Sequence, residues 1–355
     1  MLRSVAGLIV LALAGLVLSP SPAQAESRRI VAVGDLHGDW DAWQAIARAA
    51  GLIDGRDRWQ GGRTILVQMG DVVDRGPDSL RIVRHLQQLQ REAPRAGGQV
   101  IALIGNHEAM MMTGDLRYVH PGEYAAFVTR SSGELRDRTF AENRVAIEAA
   151  YRRDRPAMTS EAIKDAWIKA TPLGQIEHQA AWSPTGRLGR WTLSNPAAVI
   201  LGGTLFVHGG LSAELAPLGI EQINQRVHSD LRMQRTEPTA IINDPLGPLW
   251  YRGHISREPE GPQVAPSPAL SATAQPGPPP RPGIDEELDV VLRLTGTRRI
   301  VVGHTPSLRG IIVDRGGKLV RIDSAISRAY GGTLSWLEIE GDRVTTRSTA
   351  RPGGG

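Results

Sequence analysis

The chain has 355 residues, 41% of them apolar, enough for one large domain or two smaller ones with a true core. Its formal net charge is only +4 and its basic residues are interspersed with acids, so no nucleic-acid partner is expected. It contains no cysteine, which excludes disulfides, thiolate metal sites and a cysteine nucleophile.

The N-terminus reads as an export signal. Met1-Leu2-Arg3 precede an apolar run from Val5 to Leu18, and Ser19-Pro20 and Ala23-Gln24-Ala25 follow as an A-x-A cleavage site. The run is shorter than the roughly 20 residues that span a bilayer. Residues 1–25 are therefore expected to be cleaved near Ala25, leaving a periplasmic or secreted protein of residues 26–355 with no stable membrane anchor. Arg29 to Val33 then reads as a strand running into Gly34-Asp35-Leu36-His37-Gly38, where an Asp and a His two apart can point at one cation. Asp39 caps a helix to Ala50, with Trp40, Trp43, Ile46 and Ala47 on its buried face.

Thr64 to Met69 is an apolar strand that ends in Gly70-Asp71-Val72-Val73-Asp74-Arg75-Gly76. A strand that delivers two carboxylates and an arginine is placing charge at a sheet edge, where open α/β sheets hold their ligands. Asp71 has enough lone pairs to bridge two cations, Asp74 is free to orient a neighbouring group, and Arg75 can fork onto a phosphate. Pro77 and Asp78 open a helix to about Glu92. Gln99 to Ile104 is a third strand, ending in Gly105-Asn106-His107-Glu108. Strand–motif units separated by helices indicate β-α-β connections with the chemistry along one edge.

Residues from about 113 to 196 break this pattern. Helices are expected over Pro121–Val128, Glu142–Arg153 and Ser160–Ala170, forming an insertion over the site edge. The sheet pattern resumes with Ala198 to Val207 and His208-Gly209-Gly210-Leu211-Ser212. The stretch of residues 257–283, with prolines at 278–280, lacks the apolar content to order itself and is read as a surface excursion within the domain. Ile284 to Leu294 is a helix, and Arg299 to Val302 a strand ending in Gly303-His304-Thr305-Pro306. Ile311–Val313, Leu319–Ile322 and Thr333–Ile339 read as closing antiparallel strands, and Ser348 to Gly355 as a frayed tail.

The strand ends thus collect Asp35, His37, Asp71, Asn106, His208 and His304. All six are oxygen or imidazole donors. With Asp71 serving twice, they suit two divalent cations in mixed O/N coordination, such as manganese, iron or zinc.

At this point the motifs resemble a known family. Gly34-Asp35-Leu36-His37-Gly38, Gly70-Asp71-Val72-Val73-Asp74-Arg75-Gly76, Gly105-Asn106-His107-Glu108, Val207-His208-Gly209-Gly210-Leu211 and Gly303-His304-Thr305-Pro306 are similar to the signature of the metallophosphoesterase superfamily, in its phosphoprotein phosphatase branch. Arg117-Tyr118-Val119, Leu249-Trp250-Tyr251-Arg252 and Tyr330-Gly331-Gly332 further resemble the Shewanella-like phosphatases. The resemblance implies an α/β fold, the calcineurin-like α/β/β/α sandwich, here carrying a helical insertion. It implies one metal on Asp35, His37 and Asp71, and another on Asp71, Asn106, His208 and His304, with manganese first in line. It also implies direct attack on phosphorus by a hydroxide bridging the metals, with no phosphoenzyme.

In that scheme His107 protonates the leaving group, Asp74 holds its imidazole, and Arg75 and Arg252 clamp the phosphate oxygens. Glu108 reads as a group that binds backbone or supports the ligands. The loop Ser324-Ala325-Ile326-Ser327-Arg328-Ala329-Tyr330 departs from the Ser-Ala-Pro-Asn-Tyr-Cys loop of the eukaryotic enzymes, so sensitivity to toxins that lean on that loop is not expected. The long segment after Glu108 has no equivalent there either, so serine/threonine preference is not implied. The expected function is an exported two-metal phosphomonoesterase acting on phosphotyrosine or phosphoserine/threonine in a protein or peptide. A hydrolase of dinucleoside polyphosphates or other small phosphate esters is the alternative, and a silent phosphate-binding protein of the same fold a third reading.

Overall fold

The computed structural model describes residues 28–257 and 281–352; the expected signal segment and nearly all of the Pro-rich excursion lie outside these. Two five-stranded sheets stack face to face. In chain order the first half is β1 (Ile30–Val33), α1 (Trp40–Ala49), β2 (Ile65–Gln68), α2 (Ser79–Glu92), β3 (Gln99–Ala102) and α3 (Asn106–Thr113). The insertion follows as α4 (Pro121–Ala125), α5 (Ser132–Asp154), α6 (Ser160–Ala170), α7 (Gln175–Trp182) and α8 (Arg187–Thr192). The second half is β4 (Ala198–Leu201), β5 (Thr204–Val207), α9 (Gly219–Arg232), α10 (Ile284–Thr295), β6 (Arg299–Val302), β7 (Ile312–Asp314), β8 (Leu319–Arg321), β9 (Leu334–Glu340) and β10 (Arg343–Thr349).

One sheet runs β10-β9-β1-β2-β3 and the other β4-β5-β6-β8-β7. Val67, Met69, Phe206, Val301, Val320, Ile322 and Leu337 fill the space between them. The outer faces are covered by helices, with Trp43, Ile46, Leu86, Val227 and Val291 in a second, larger core. This is the expected α/β/β/α sandwich. Asp39 caps α1 as expected, its carboxylate accepting the Ala42 N–H at 3.0 Å, and Trp40, Trp43, Ile46 and Ala47 are buried.

What positions the site is the direction of six strands. β1, β2 and β3 are mutually parallel, and so are β5, β6 and β8. Their C-terminal ends emerge along one seam where the sheets meet. The turns after them are locked by backbone contacts: the Leu36 and His37 N–H groups both donate to the Asp71 carbonyl at 3.0 Å, and Gly38 N–H donates to Val72 O at 2.9 Å. Gly38 and Gly76 lie back to back, and a Cβ on either would collide with the other loop's main chain, so both motifs need glycine there.

Three details differ from expectation. Ala198 to Val207 is two strands, because Gly202 and Gly203 both adopt positive φ (53° and 73°) and reverse the chain in a two-residue hairpin. The strand β8 is antiparallel to β7 but parallel to β6, taking the buried place beside β6 and leaving β7 as the exposed edge. The tail is partly ordered: Ser348 and Thr349 end β10, a polar edge strand paired along its whole length with β9.

The insertion is more helical than its sequence suggests. Its helix α5 starts ten residues ahead of the expected Glu142, at Ser132, and α7 and α8 are additional. It docks on α2, where Trp191 Nε1 donates to Gln90 Oε1 at 2.9 Å and Gln90 Nε2 to Asn195 Oδ1 at 2.9 Å. Its interior is closed by His178, fully buried among the rings of Tyr124, Phe127 and Trp182. Burial pushes this imidazole down from its usual 6.5 to about 4, so it packs as a neutral ring. A lowered folded pKa means that its contribution is complete above about pH 6.5 and is lost as pH falls toward 4. Hydrogen-exchange protection in α7, corrected for the intrinsic rate at each pH, should fall over that window in the wild-type protein and stay constant in His178→Phe; an equal fall in both would remove His178 as the cause.

Candidate active site

Each strand end delivers its expected residue to the seam. Asp35 and His37 follow β1, Asp71 follows β2, Asn106 opens α3 after β3, His208 follows β5 and His304 follows β6. All are buried, with exposures from 0% for His208 to 6% for His304. The Asp71 carboxylate lies at their centre. Its Oδ2 is 3.3 Å from His208 Nε2, 3.8 Å from His107 Nε2 and 3.9 Å from His37 Nε2. Asp35 sits beside it, with Oδ2 accepting the His304 N–H at 3.0 Å.

Backbone carbonyls set the tautomers. His37 Nδ1 is 2.9 Å from Val73 O, and His208 Nδ1 is 2.8 Å from Met69 O. A carbonyl can only accept, so each Nδ1 carries the proton and each Nε2 turns a lone pair inward, as metal-ligating histidines require. At His208 Nε2 two further acceptors converge, Asn106 Oδ1 at 2.9 Å and Asp71 Oδ2. Such lone pairs repel unless a proton or a cation lies among them. Burial favours neutral His208, yet the Asp71 charge outweighs it and pushes the imidazole up to about 10. Asp35 is pushed well above the usual carboxylate range by burial and then by the Asp323 charge.

The donor set fits divalent cations. Asp35 Oδ1 and His304 Nε2 are buried with no hydrogen-bond partner, and Asp71 lies within 4.8 Å of donor atoms of His208 and His304 on one side and of His37 on the other. His107 falls within the same distance of His37 and Asp71, but its Nδ1 is held by Asp74. Oxygen and imidazole donors with no sulfur suit manganese, iron or zinc.

The groups around these donors make a second layer of order. His107 Nδ1 is 2.5 Å from Asp74 Oδ2. Burial lowers the imidazole's pKa, but Asp71 and Asp74 outweigh it and raise it overall. Arg75 is half-buried, its guanidinium carbon 4.5 Å from the Tyr118 ring centre and 5.2 Å from that of Tyr330. Arg252 comes from the other sheet's side, with Nη2 3.4 Å from the His304 carbonyl and the Asp71 and Asp35 charges acting on it. Glu108 binds backbone, as its placement in the motif suggests: it accepts the N–H groups of Asp71 (2.9 Å), Val72 (2.8 Å) and Gly105 (2.8 Å).

Of the nine non-glycine residues at positive φ among the described residues, five are site residues: His37, Asp71, Asp74, Arg75 and His304. Each such conformation costs about 1–3 kcal/mol, and that strain is held where the chemistry is. Sequence reasoning missed Asp323. It is 3% exposed, follows β8 as the other acids follow their strands, and burial pushes its carboxyl up to about 6. The signal was available, an aspartate directly after the apolar Leu319–Ile322 run, but with no histidine or glycine partner beside it to mark it out.

The profile of the calcineurin-like phosphoesterase family matches residues 28–308, and the chain belongs to that family; it is a metal-dependent phosphatase. Among curated proteins it is 32% identical to Shewanella-like protein phosphatase 2 of Arabidopsis thaliana over 332 residues, covering 91% of this chain and 78% of that one. A Shewanella-like protein phosphatase 1 from Plasmodium berghei is 29% identical over 196 residues, 55% of this chain and 42% of that one. Among solved structures, a cold-active protein tyrosine phosphatase superposes with a TM-score of 0.63 at 23% identity, over 91% of this chain and 78% of that one. A protein serine/threonine phosphatase from Saccharomyces cerevisiae gives 0.52 at 16% identity, over 94% and 83%. At these identities the solved structures speak for the fold.

Glu108→Ala should destabilise the protein by about 3 kcal/mol or more, since three buried N–H groups lose a charged acceptor, and weaken metal binding about 10–100-fold through the freed Asp71 turn. Chemical denaturation and metal titration check this; an effect below about 1 kcal/mol would contradict the role.

Proposed function

We propose that the chain is an exported phosphomonoesterase that hydrolyses phosphotyrosine or phosphoserine/threonine in proteins, using two divalent cations of which manganese is the first candidate. One cation would be held by Asp35, His37 and Asp71, the other by Asp71, Asn106, His208 and His304. When bound, the pair supplies a water of lowered pKa and positive charge against the phosphate oxygens.

The chain's own residues do the rest. Arg75 and Arg252 bind the non-bridging oxygens from two sides, guanidinium matching phosphate geometry. His107 donates its Nε2 proton to the departing oxygen. Asp74 keeps Nδ1 protonated and the ring oriented, and favours the charged imidazolium from which the proton is given. The observation that carries the reading is the His107–Asp74 pair at 2.5 Å, its Nε2 turned to Asp71 Oδ2 at 3.8 Å. A pure phosphate-binding protein has no use for a proton donor held at that spot.

Two features support a protein substrate. A cavity of about 610 Å³ adjoins Arg252, lined also by Leu246, Trp250 and Tyr251, with room for an aromatic or extended side chain. The relatives named above are protein phosphatases by description. Export is supported by the Val5–Leu18 run and the Ala23-Gln24-Ala25 site.

The test uses metal-stripped protein of residues 26–355 with manganese and other divalent ions added back. Metal-dependent phosphate release from phosphotyrosine or phosphothreonine peptides, absent in Asp71→Asn, is the expected result. Activity confined to a dinucleoside tetraphosphate would overturn the protein-phosphatase reading. His107→Ala should keep its metals and lose about 100-fold or more in kcat on a poor leaving group, and much less on p-nitrophenyl phosphate. Equal losses on both would remove His107 as the general acid.

A further inference from the structure

The insertion does something closer to the chemistry than covering it. Asp74 and Arg75 are consecutive side-chain-bearing residues at φ of 70° and 65°, a turn that persists only if its surroundings enforce it. The enforcing contacts come from the start of the insertion. The Arg75 N–H donates to the Tyr118 carbonyl at 3.0 Å. The Tyr118 ring lies on the Arg75 guanidinium at 4.5 Å and stands 5.3 Å from the His107 ring. Tyr118 is 38% exposed, so it is no core residue.

On the Asp74 side the contact is Glu123 of α4, 1% exposed. It accepts the His120 N–H at 3.2 Å, and its carboxyl lies near enough to Asp74 for the Asp74 charge to act on it. Gly122, next to it, is packed so closely on Pro77 that a side chain there would collide, which seats α4 directly on the end of the turn. Glu108 holds the first half of the same loop through Asp71 and Val72. Glu123 is buried beside the second half, on the helix packed against Pro77, and neither glutamate touches the reacting atoms.

We propose that Tyr118 and Glu123 are positioning residues: they fix the Asp74–Arg75 turn, and through it the orientation of His107 and of the phosphate-binding guanidinium. The proposal rests on the reading of His107 as leaving-group acid and Arg75 as phosphate clamp. The two contacts have separable consequences. Losing the Tyr118 ring frees the Arg75 guanidinium, whose cation–π contact holds its plane, and so weakens phosphate binding. Losing Glu123 lets Asp74 drift from His107 Nδ1, and so weakens proton donation.

The experiment compares Tyr118→Phe, Tyr118→Leu, Glu123→Gln, Glu123→Ala and His107→Ala in the manganese-loaded protein, on phenyl phosphate and p-nitrophenyl phosphate, with inorganic phosphate as inhibitor. Tyr118→Leu should raise KM and the phosphate inhibition constant about tenfold with kcat within about threefold, while Tyr118→Phe stays near wild type. Glu123→Ala should lose about tenfold more kcat/KM on phenyl phosphate than on p-nitrophenyl phosphate, and Glu123→Gln, which keeps an acceptor, should show the same split reduced. If Glu123→Ala does not fold, the Glu123→Gln split decides. A His107→Ala split with none in the Glu123 variants, or unchanged KM and phosphate inhibition in Tyr118→Leu, would overturn the proposal alone. No split in His107→Ala would instead bring down the general-acid reading beneath it.

Discussion

Asp71 is a carboxylate 2% exposed, placed in the seam between two sheets where solvent cannot screen it. A buried charge is tolerated only when paired and hydrogen-bonded. Burial pushes Asp71 up, but His208, His107 and His37 outweigh it and hold the carboxyl well below its usual range. Its carbonyl takes the N–H groups of Leu36 and His37, its own N–H goes to Glu108, and its Oδ1 accepts the His107 N–H at 3.0 Å. Every loop of the first sheet that carries chemistry is therefore tied to this one residue. The left-handed backbone at Asp71 is the geometric cost of bringing all of them to one point.

The six parallel strand ends explain why the site is there at all. A strand end frees backbone and side chain from the sheet, and two sheets stacked face to face bring twice as many such ends to one edge. The hydrogen bond from His208 Nδ1 to Met69 O crosses from one sheet to the other. It fixes the ring that belongs to one half of the molecule against the loop that belongs to the other.

Much of this was legible in the sequence, for a physical reason: buried parallel strands are short apolar runs, and the polar motifs that interrupt them have no other reason to be there. That contrast marks Asp35, His37, Asp71, Asn106, His208 and His304 in the sequence alone. The polar edge strand β10 carries no such contrast, so Arg343–Thr349 did not read as a strand. Nor could periodicity separate β7 from β8 by direction, because pairing partners distant in sequence decide it. Asp323 stands alone after its strand and was passed over for want of a neighbouring motif. Three helices of the insertion are expected from sequence, but the contact of Tyr118 with Arg75 depends on where the chain folds back, which no local pattern encodes.

The proposed dinuclear site requires Asp71 to be shared between two cations. Electron paramagnetic resonance of the metal-stripped protein titrated with manganese(II) reads this directly. Binding of two equivalents should give the multiline spectrum of an exchange-coupled pair, and Asp71→Asn should abolish the coupling. Two uncoupled ions, or a single bound ion at saturation, would contradict the shared carboxylate and with it the dinuclear site.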